Sequence, residues 1–194
     1  MTRKRITIID GHPDPDPARF VHALAACYAE GALSAGHAVR RIDVAALDFD
    51  LVGSRRDWEG QASPPDIAEA QEDILWADHL VILYPLWLGD VPARLKGFFE
   101  QVFRPGFAFV PREAGFPEKK LKGRSAHIVV TMGMPAIFYR FVYGAHSVKS
   151  LERNILKFVG IAPVHSSLIG NIDNAPAKRA EWLETLATMG RTAA

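Results

Sequence analysis

Apolar positions along this chain alternate between two periods. Residues 5–10, "RITIID", make a short β-branched run that stops at Gly11. Apolar runs of this length bounded by turn formers read as strands. Segments 38–44 ("AVRRIDV"), 79–86 ("HLVILYPL"), 125–133 ("SAHIVVTMG") and 163–172 ("PVHSSLIGNI") read the same way. Between them, apolar residues return at the helical spacing of three or four. Phe20, Leu24, Cys27 and Tyr28 share a face ahead of Gly36, and Ile67, Ala70, Ile74 and Leu75 share one within 64–78. Leu95, Phe98, Phe99, Val102 and Phe103 follow Pro92, while Val148, Leu151, Ile155, Phe158 and Val159 lie within 147–160. A last helical segment spans 175–190.

Strand and helix therefore alternate five times, the pattern of a parallel sheet with helices on both faces. Five units favour a flavodoxin-like three-layer α/β sandwich with strand order 2-1-3-4-5, as one domain over residues 1–194. In that topology ligands bind at the carboxyl ends of the strands, near the switch point between the first and third. Two long insertions, 48–63 and 104–124, interrupt the plan; loops of that length in a compact domain usually carry function.

Composition narrows the class. A net charge of +1 gives no electrostatic reason to expect nucleic acid or a charged membrane surface as partner. The single cysteine, Cys27, excludes an internal disulfide and a multi-cysteine metal site, and its place in a helix suits a small buried hydrophobe. The apolar run after the basic N-terminus ends at Asp10, too early for a signal peptide. No run approaches the length of a membrane span, so a soluble, cytoplasmic protein is expected.

Three loops meet at the expected switch point: 10–20 ("DGHPDPDPARF"), 84–92 ("YPLWLGDVP") and 131–146 ("TMGMPAIFYRFVYGAH"). All are rich in Pro, Gly and aromatic residues, which suits a planar ligand needing flat apolar walls and a few fixed donors. The run "YPLWLGDVPARLKGFFEQVFRPGFAF" resembles the signature of the flavodoxin-like NAD(P)H:quinone oxidoreductase family, which includes DT-diaphorase and the potassium-efflux ancillary flavoproteins. The residues that carry it are Pro85, Leu86, Trp87, Pro92, Ala93, Leu95, Lys96, Phe98, Phe99 and Gly106 to Phe109. The first and fourth loops resemble the family's as well.

The resemblance implies a noncovalent flavin, FAD or FMN, reduced by NAD(P)H and reoxidised by a quinone-like acceptor in a two-electron, ping-pong cycle. It implies a homodimer too. Pro85, Leu86, Trp87 and Leu88 correspond to the segment whose backbone N–H groups face the flavin ring. Thr131, Met132, Gly133 and Met134 correspond to the loop at its pyrimidine edge, with methionines where relatives carry Thr and Gly. Tyr139 and His146 correspond to a catalytic pair that assists charge relay. His12, Arg19 and Phe20 correspond to the flavin phosphate site. That site is unusual here, because no Ser or Thr occurs between Ile8 and Leu33 and Asp14 and Asp16 stand beside the expected phosphate. Arg19 with His12 in place of hydroxyls is one reading; Asp16 as an N-cap with Pro17 at the first helical position is a purely structural one.

Phe107 and Phe109 are expected to roof the entrance. Lys119, Lys120, Lys122 and Arg124 are expected either to attract NAD(P)H phosphates or to be solvated loop charge. Trp58 is expected to reach a partner subunit or to anchor its own loop. Other classes stay open: a regulatory flavoprotein subunit of a membrane transport protein, a one-electron flavodoxin carrier, and a flavin-free α/β binding module.

Overall fold

The computed structural model describes every residue except Met1, Gln61, Asn174 and Ala175. In chain order the elements are β1 (Arg5–Asp10), α1 (Phe20–Ser34), β2 (Ala38–Asp43), α2 (Arg55–Gly60), α3 (Pro65–Trp76), β3 (His79–Pro85) and α4 (Ala93–Val102). Then come β4 (Phe109–Val110), β5 (Glu118–Lys119), β6 (Ser125–Thr131), α5 (Ala136–Phe141), α6 (His146–Ser150), a π-helical turn over Leu151–Leu156, α7 (Lys157–Val159), β7 (Val164–Ile169) and α8 (Pro176–Thr192). The expected start of the last helix at Ala175 lies outside the described residues.

The main sheet has the order β2-β1-β3-β6-β7, and every pairing in it is parallel. That is the 2-1-3-4-5 order expected from the alternation. β3 is buried along its whole length, as a central strand covered on both faces must be. Its side chains divide with period two. Leu80, Ile82 and Tyr84 join the core under α3, α4 and the 146–159 helix, whereas Val81 and Leu83 join the core under α1 and α8. The register pairs Asp10 with Leu83 and Pro85 with Thr131, so the last residues of β1, β3 and β6 reach one edge together.

Departures from the sequence reading fall outside the regular units. The first insertion contains α2, and the second contains the two-stranded β4-β5 ribbon. Arg94 ties α4 to the first insertion: its Nε donates to the Val44 carbonyl at 2.9 Å, and its guanidinium lies 4.8 Å over Phe49. Trp58 is a local anchor, its indole N–H donating to the Glu100 carbonyl at 3.1 Å and its ring 5.9 Å from Phe109. Cys27 is half-buried, and burial pushes its thiol pKa up. α5 occupies part of what reads as a loop, because Pro135 takes its N-cap position and pre-sets the chain for a single short helix. No helix among the described residues is long and apolar enough to cross a membrane.

Candidate active site

The three loops do meet. After β3 the ladder is extended by the Leu86 N–H, which donates to the Thr131 carbonyl at 2.8 Å and joins the second loop to the third. The Trp87 ring stands edge-on to His12 at 6.0 Å, joining the second loop to the first. Gly11 lets the first loop pass close to α4 and the end of β3: a Cβ there would sit 2.6 Å from Leu95 and 2.9 Å from the Leu83 carbonyl.

Residues Trp87 to Asp90 close a tight hairpin, with reciprocal backbone bonds of 3.0 Å between Trp87 and Asp90. Leu88 (φ 48°) and Gly89 (φ 82°) both have positive φ, as a type I′ turn demands. Asn and Gly suit those positions; a leucine there is strained. Leu88 is nonetheless fully exposed, and Trp87 is about half exposed beside it. An apolar side chain is thus held in an unfavourable backbone state with none of the described residues covering it. The N–H groups of Leu86 and Trp87 are already bonded and Pro85 has none, so the donors left for a ligand here are those of Leu88 and Gly89. This corrects the expectation that the whole segment presents N–H groups.

After β6, Thr131 is buried and its hydroxyl has no hydrogen-bond partner among the described residues. Met132 is buried, its N–H bonded to the Ile169 carbonyl and its carbonyl to the Ile172 N–H. Gly133 is exposed, and a Cβ there would meet the Asp173 carboxylate at 2.5 Å. Asp173, from the loop after β7, therefore leans over the position expected to face a flavin. Nothing in its surrounding sequence signals that role. Met134 is half-buried, its carbonyl accepting from the Asn171 N–H at 3.1 Å.

The first loop is organised by carboxylates. Asp10, wholly buried at the end of β1, lies 2.7 Å from His22 Nδ1 and 2.6 Å from the Arg41 guanidinium. The other His22 nitrogen faces the Asp14 carbonyl at 2.9 Å, so both ring nitrogens point at acceptors. Burial opposes charge on His22, but the hydrogen bonds to Asp10 and Asp14 and the pull of Asp10 and Asp43 outweigh it, and its pKa is raised. His12, 5.3 Å away ring to ring, behaves oppositely. Its Nδ1 accepts the Asp14 N–H at 3.1 Å, and burial above all holds its pKa down. Sequence reasoning missed the Asp10–His22–Arg41 cluster, which joins three elements across 31 residues.

Arg19 does not stand free for a phosphate. It is paired with Asp14 at 2.7 Å and Asp16 at 3.3 Å. The Asp16 carboxylate accepts from the Ala18 N–H, forming a turn ahead of α1; the helix N-cap is Arg19, which corrects the expected Asp16–Pro17 cap. Phe20 is buried under α8, with Arg179 stacked 4.7 Å above its ring. It is a core residue rather than an open wall of the site.

Tyr139 is 0% exposed. Its hydroxyl lies 2.7 Å from Ser147 Oγ and accepts the Ser147 N–H at 3.2 Å, while Tyr84 bonds the same Oγ at 3.1 Å. In this conformation Tyr139 ties α5 to α6 and touches no open surface, against its expected place in a catalytic pair. The extra residue in "YGAH" is accommodated by successive positive φ values at Gly144 (63°) and Ala145 (50°), which set exposed His146 at the start of α6 with its ring against Gly144. Phe109 is buried between Trp58 and Phe158 and so is no roof. Lys122 and Arg124 immediately precede β6, at the amino edge of the sheet opposite the site. Arg124 is bonded there to the Ile74 and Leu75 carbonyls, Lys119 to the Lys157 carbonyl, and Lys120 to Glu118.

The comparisons agree with this architecture. A family model described as "Flavodoxin-like fold" matches residues 4–191. An FMN-dependent NADH:quinone oxidoreductase of Nitratidesulfovibrio vulgaris is 30% identical over 167 residues, covering 77% of this chain and 79% of its own. An NAD(P)H:quinone oxidoreductase from Methanothermobacter marburgensis superposes with a TM-score of 0.82 at 25% identity, over 100% of both chains. The protein Smu.1420 from Streptococcus mutans UA159 superposes with a TM-score of 0.78 at 30% identity, over 97% of this chain and 99% of its own.

Proposed function

Because this chain belongs to the flavodoxin-like NAD(P)H:quinone oxidoreductase family, we propose that it is an enzyme that passes a hydride from NAD(P)H, by way of a noncovalent flavin, to a quinone-like acceptor. FMN is the flavin that the relatives favour; FAD has the same ring. The flavin supplies the two-electron chemistry, and this chain's residues bind and orient it.

The observation that carries the reading is the strained, uncovered turn at Leu88. Trp87 and Leu88 present an apolar wall at the switch point, and the N–H groups of Leu88 and Gly89 remain available beside it. Thr131 supports the same placement, since a buried hydroxyl without a partner costs about 1–3 kcal/mol. A ring carbonyl or nitrogen at this edge relieves that cost. Gly133 and Met134 add backbone donors, and Asp173 adds an acceptor for a ring N–H. His146, exposed at the edge, is the group positioned to hold or donate a proton near the ring; its role is catalytic in this reading. Tyr139 acts through Ser147 and α6 and is a positioning residue. His12 and Arg19 border the phosphate, with Arg19 released from its carboxylates on binding.

One domain accounts for the whole chain. The exposed apolar residues Phe138, Val142 and Tyr143, in α5 and at its end, are the face against which a second copy packs in a homodimer. Cytoplasmic placement and a lack of nucleic-acid partners complete the reading.

The absorption spectrum of the purified protein, followed by NAD(P)H oxidation with a simple benzoquinone, tests the proposal. Flavin bands and turnover are expected. Failure to bind FMN or FAD, or no turnover with saturating flavin, would overturn it.

A further inference from the structure

A dinucleotide donor carries two phosphates, and the basic segment 119–124 lies toward the amino edge of the sheet, with Lys119, Lys120 and Arg124 bonded internally. A different pair of cations is better placed. Between α5, α6 and the edge strand β7 lies a 760 Å³ cavity. Ile137, Phe141, Val148 and Leu168 supply apolar wall, and Arg140, Lys149, Glu152 and Ser166 supply the polar lining.

The charges there are unbalanced. Glu152, the one carboxylate in the lining, is paired with Lys157 at 2.5 Å. Arg140 and Lys149 have no hydrogen-bond or ion-pair partner among the described residues. A guanidinium grips phosphate oxygens in a bidentate fork, and an ammonium serves as a compact point charge for the same anion. A cavity of this volume lies within the range of small-molecule sites. It also adjoins the candidate active site. Ala136 in its lining is two residues beyond Met134, and Ala145, also in its lining, directly precedes His146.

We propose that this cavity receives the phosphate-bearing half of the nicotinamide dinucleotide, with Arg140 and Lys149 on the diphosphate and the remainder against Phe141, Val148 and Leu168. The nicotinamide end then extends past His146 toward the carboxyl edge of the sheet. This rests on the oxidoreductase reading above.

The test uses flavin-loaded protein and separates the two. Calorimetric titration with ADP, which lacks nicotinamide and cannot react, reads the cavity directly. Binding to wild type is expected. Arg140→Gln or Lys149→Gln should weaken it about tenfold, as loss of one charge-assisted contact does, and the double variant should abolish it. Adenosine, lacking the phosphates, should not bind detectably. In steady state the double variant should raise the KM for NAD(P)H by at least the single-variant factor, with the KM for quinone unchanged. Both side chains are exposed, so melting temperatures should stay at the wild-type value. No ADP binding by wild type, or equal ADP affinity in wild type and double variant, would overturn the proposal while leaving quinone reduction intact. Wild type that binds ADP but does not oxidise NAD(P)H would sink the oxidoreductase reading instead.

Discussion

Replacing Leu88 by Asn should make the protein more stable and the site weaker. The residue has φ 48° in a two-residue hairpin, and its side chain is fully exposed. A non-glycine side chain in the left-handed region costs roughly 1–2 kcal/mol, a penalty from which Asn is largely relieved. No packing is lost, because the leucine touches nothing that excludes water. Leu88→Asn should therefore gain about 1 kcal/mol, or roughly 2–4 °C in Tm for a chain of this size. The functional effect has the opposite sign. Covering a leucine side chain is worth about 1.5–3 kcal/mol when complete. A ring that covers half of it therefore gains about 1 kcal/mol, roughly fivefold in affinity. Thermal unfolding of the flavin-free protein reads the first effect, and flavin titration with the KM for quinone reads the second. A lowered Tm would show that the turn is not strained. An unchanged flavin affinity and quinone KM would show that the leucine serves neither ligand.

Other perturbations have equally definite outcomes. Burial holds His79 at about 3 and His127 at about 4, below the ordinary 6.5. Between those values and 6.5 the unfolded chain binds protons that the folded one does not, so stability falls as pH falls below 6.5, by on the order of 2–3 kcal/mol for His79 near pH 4.5. Denaturant unfolding of His79→Asn should lose that part of the acid slope, and a slope equal to wild type would refute the assignment. Ser147→Ala removes the one group that bonds both Tyr84 and Tyr139 and should destabilise by about 2 kcal/mol, read as a shift in urea midpoint. Arg19→Ala should weaken FMN more than riboflavin; equal losses would confine Arg19 to holding Asp14 and Asp16.

The regular part of this fold is legible because burial leaves a periodic trace. The middles of β3 (Leu80–Leu83) and β6 (Ile128–Val130) are continuously apolar since both faces are covered, and α4 repeats at three and four because one face is. The three converging loops follow from strand order alone. What the sequence could not display depends on distance or torsion. Leucine carries no mark of a positive φ, so the strain at Leu88 emerges only from the turn that Trp87 and Asp90 close. The aromatic run 136–143 reads as a loop because six helical residues are too few to establish a period. Tyr139 matches the family's spacing, yet its burial is decided by Ser147, eight residues away, and by Tyr84 on another strand. Arg124 is close in sequence to the site's third loop and far from it in space, since a full strand separates them.

The first loop gains a physical account from the same distances. Without hydroxyls and with aspartates beside the expected phosphate, it reads as a repulsive surface. In the folded chain each carboxylate has a basic neighbour: Asp10 has Arg41 and His22, while Asp14 and Asp16 share Arg19. An incoming phosphate therefore meets a nearly balanced field and competes for cations already engaged. The competition is unequal. Asp10 is wholly buried, and stripping it of Arg41 or His22 would leave an uncompensated interior charge, at a cost of several kcal/mol. The Arg19 pairs are solvent-exposed, so water screens them and they are far more easily exchanged. Exchange accordingly falls on Arg19, while the buried cluster holds the end of β1 and the start of α1 in place. Asp14 and Asp16, once released, can turn to water because both are exposed. An acidic first loop is thus compatible with a phosphate, provided that the cation it yields is the one at the surface.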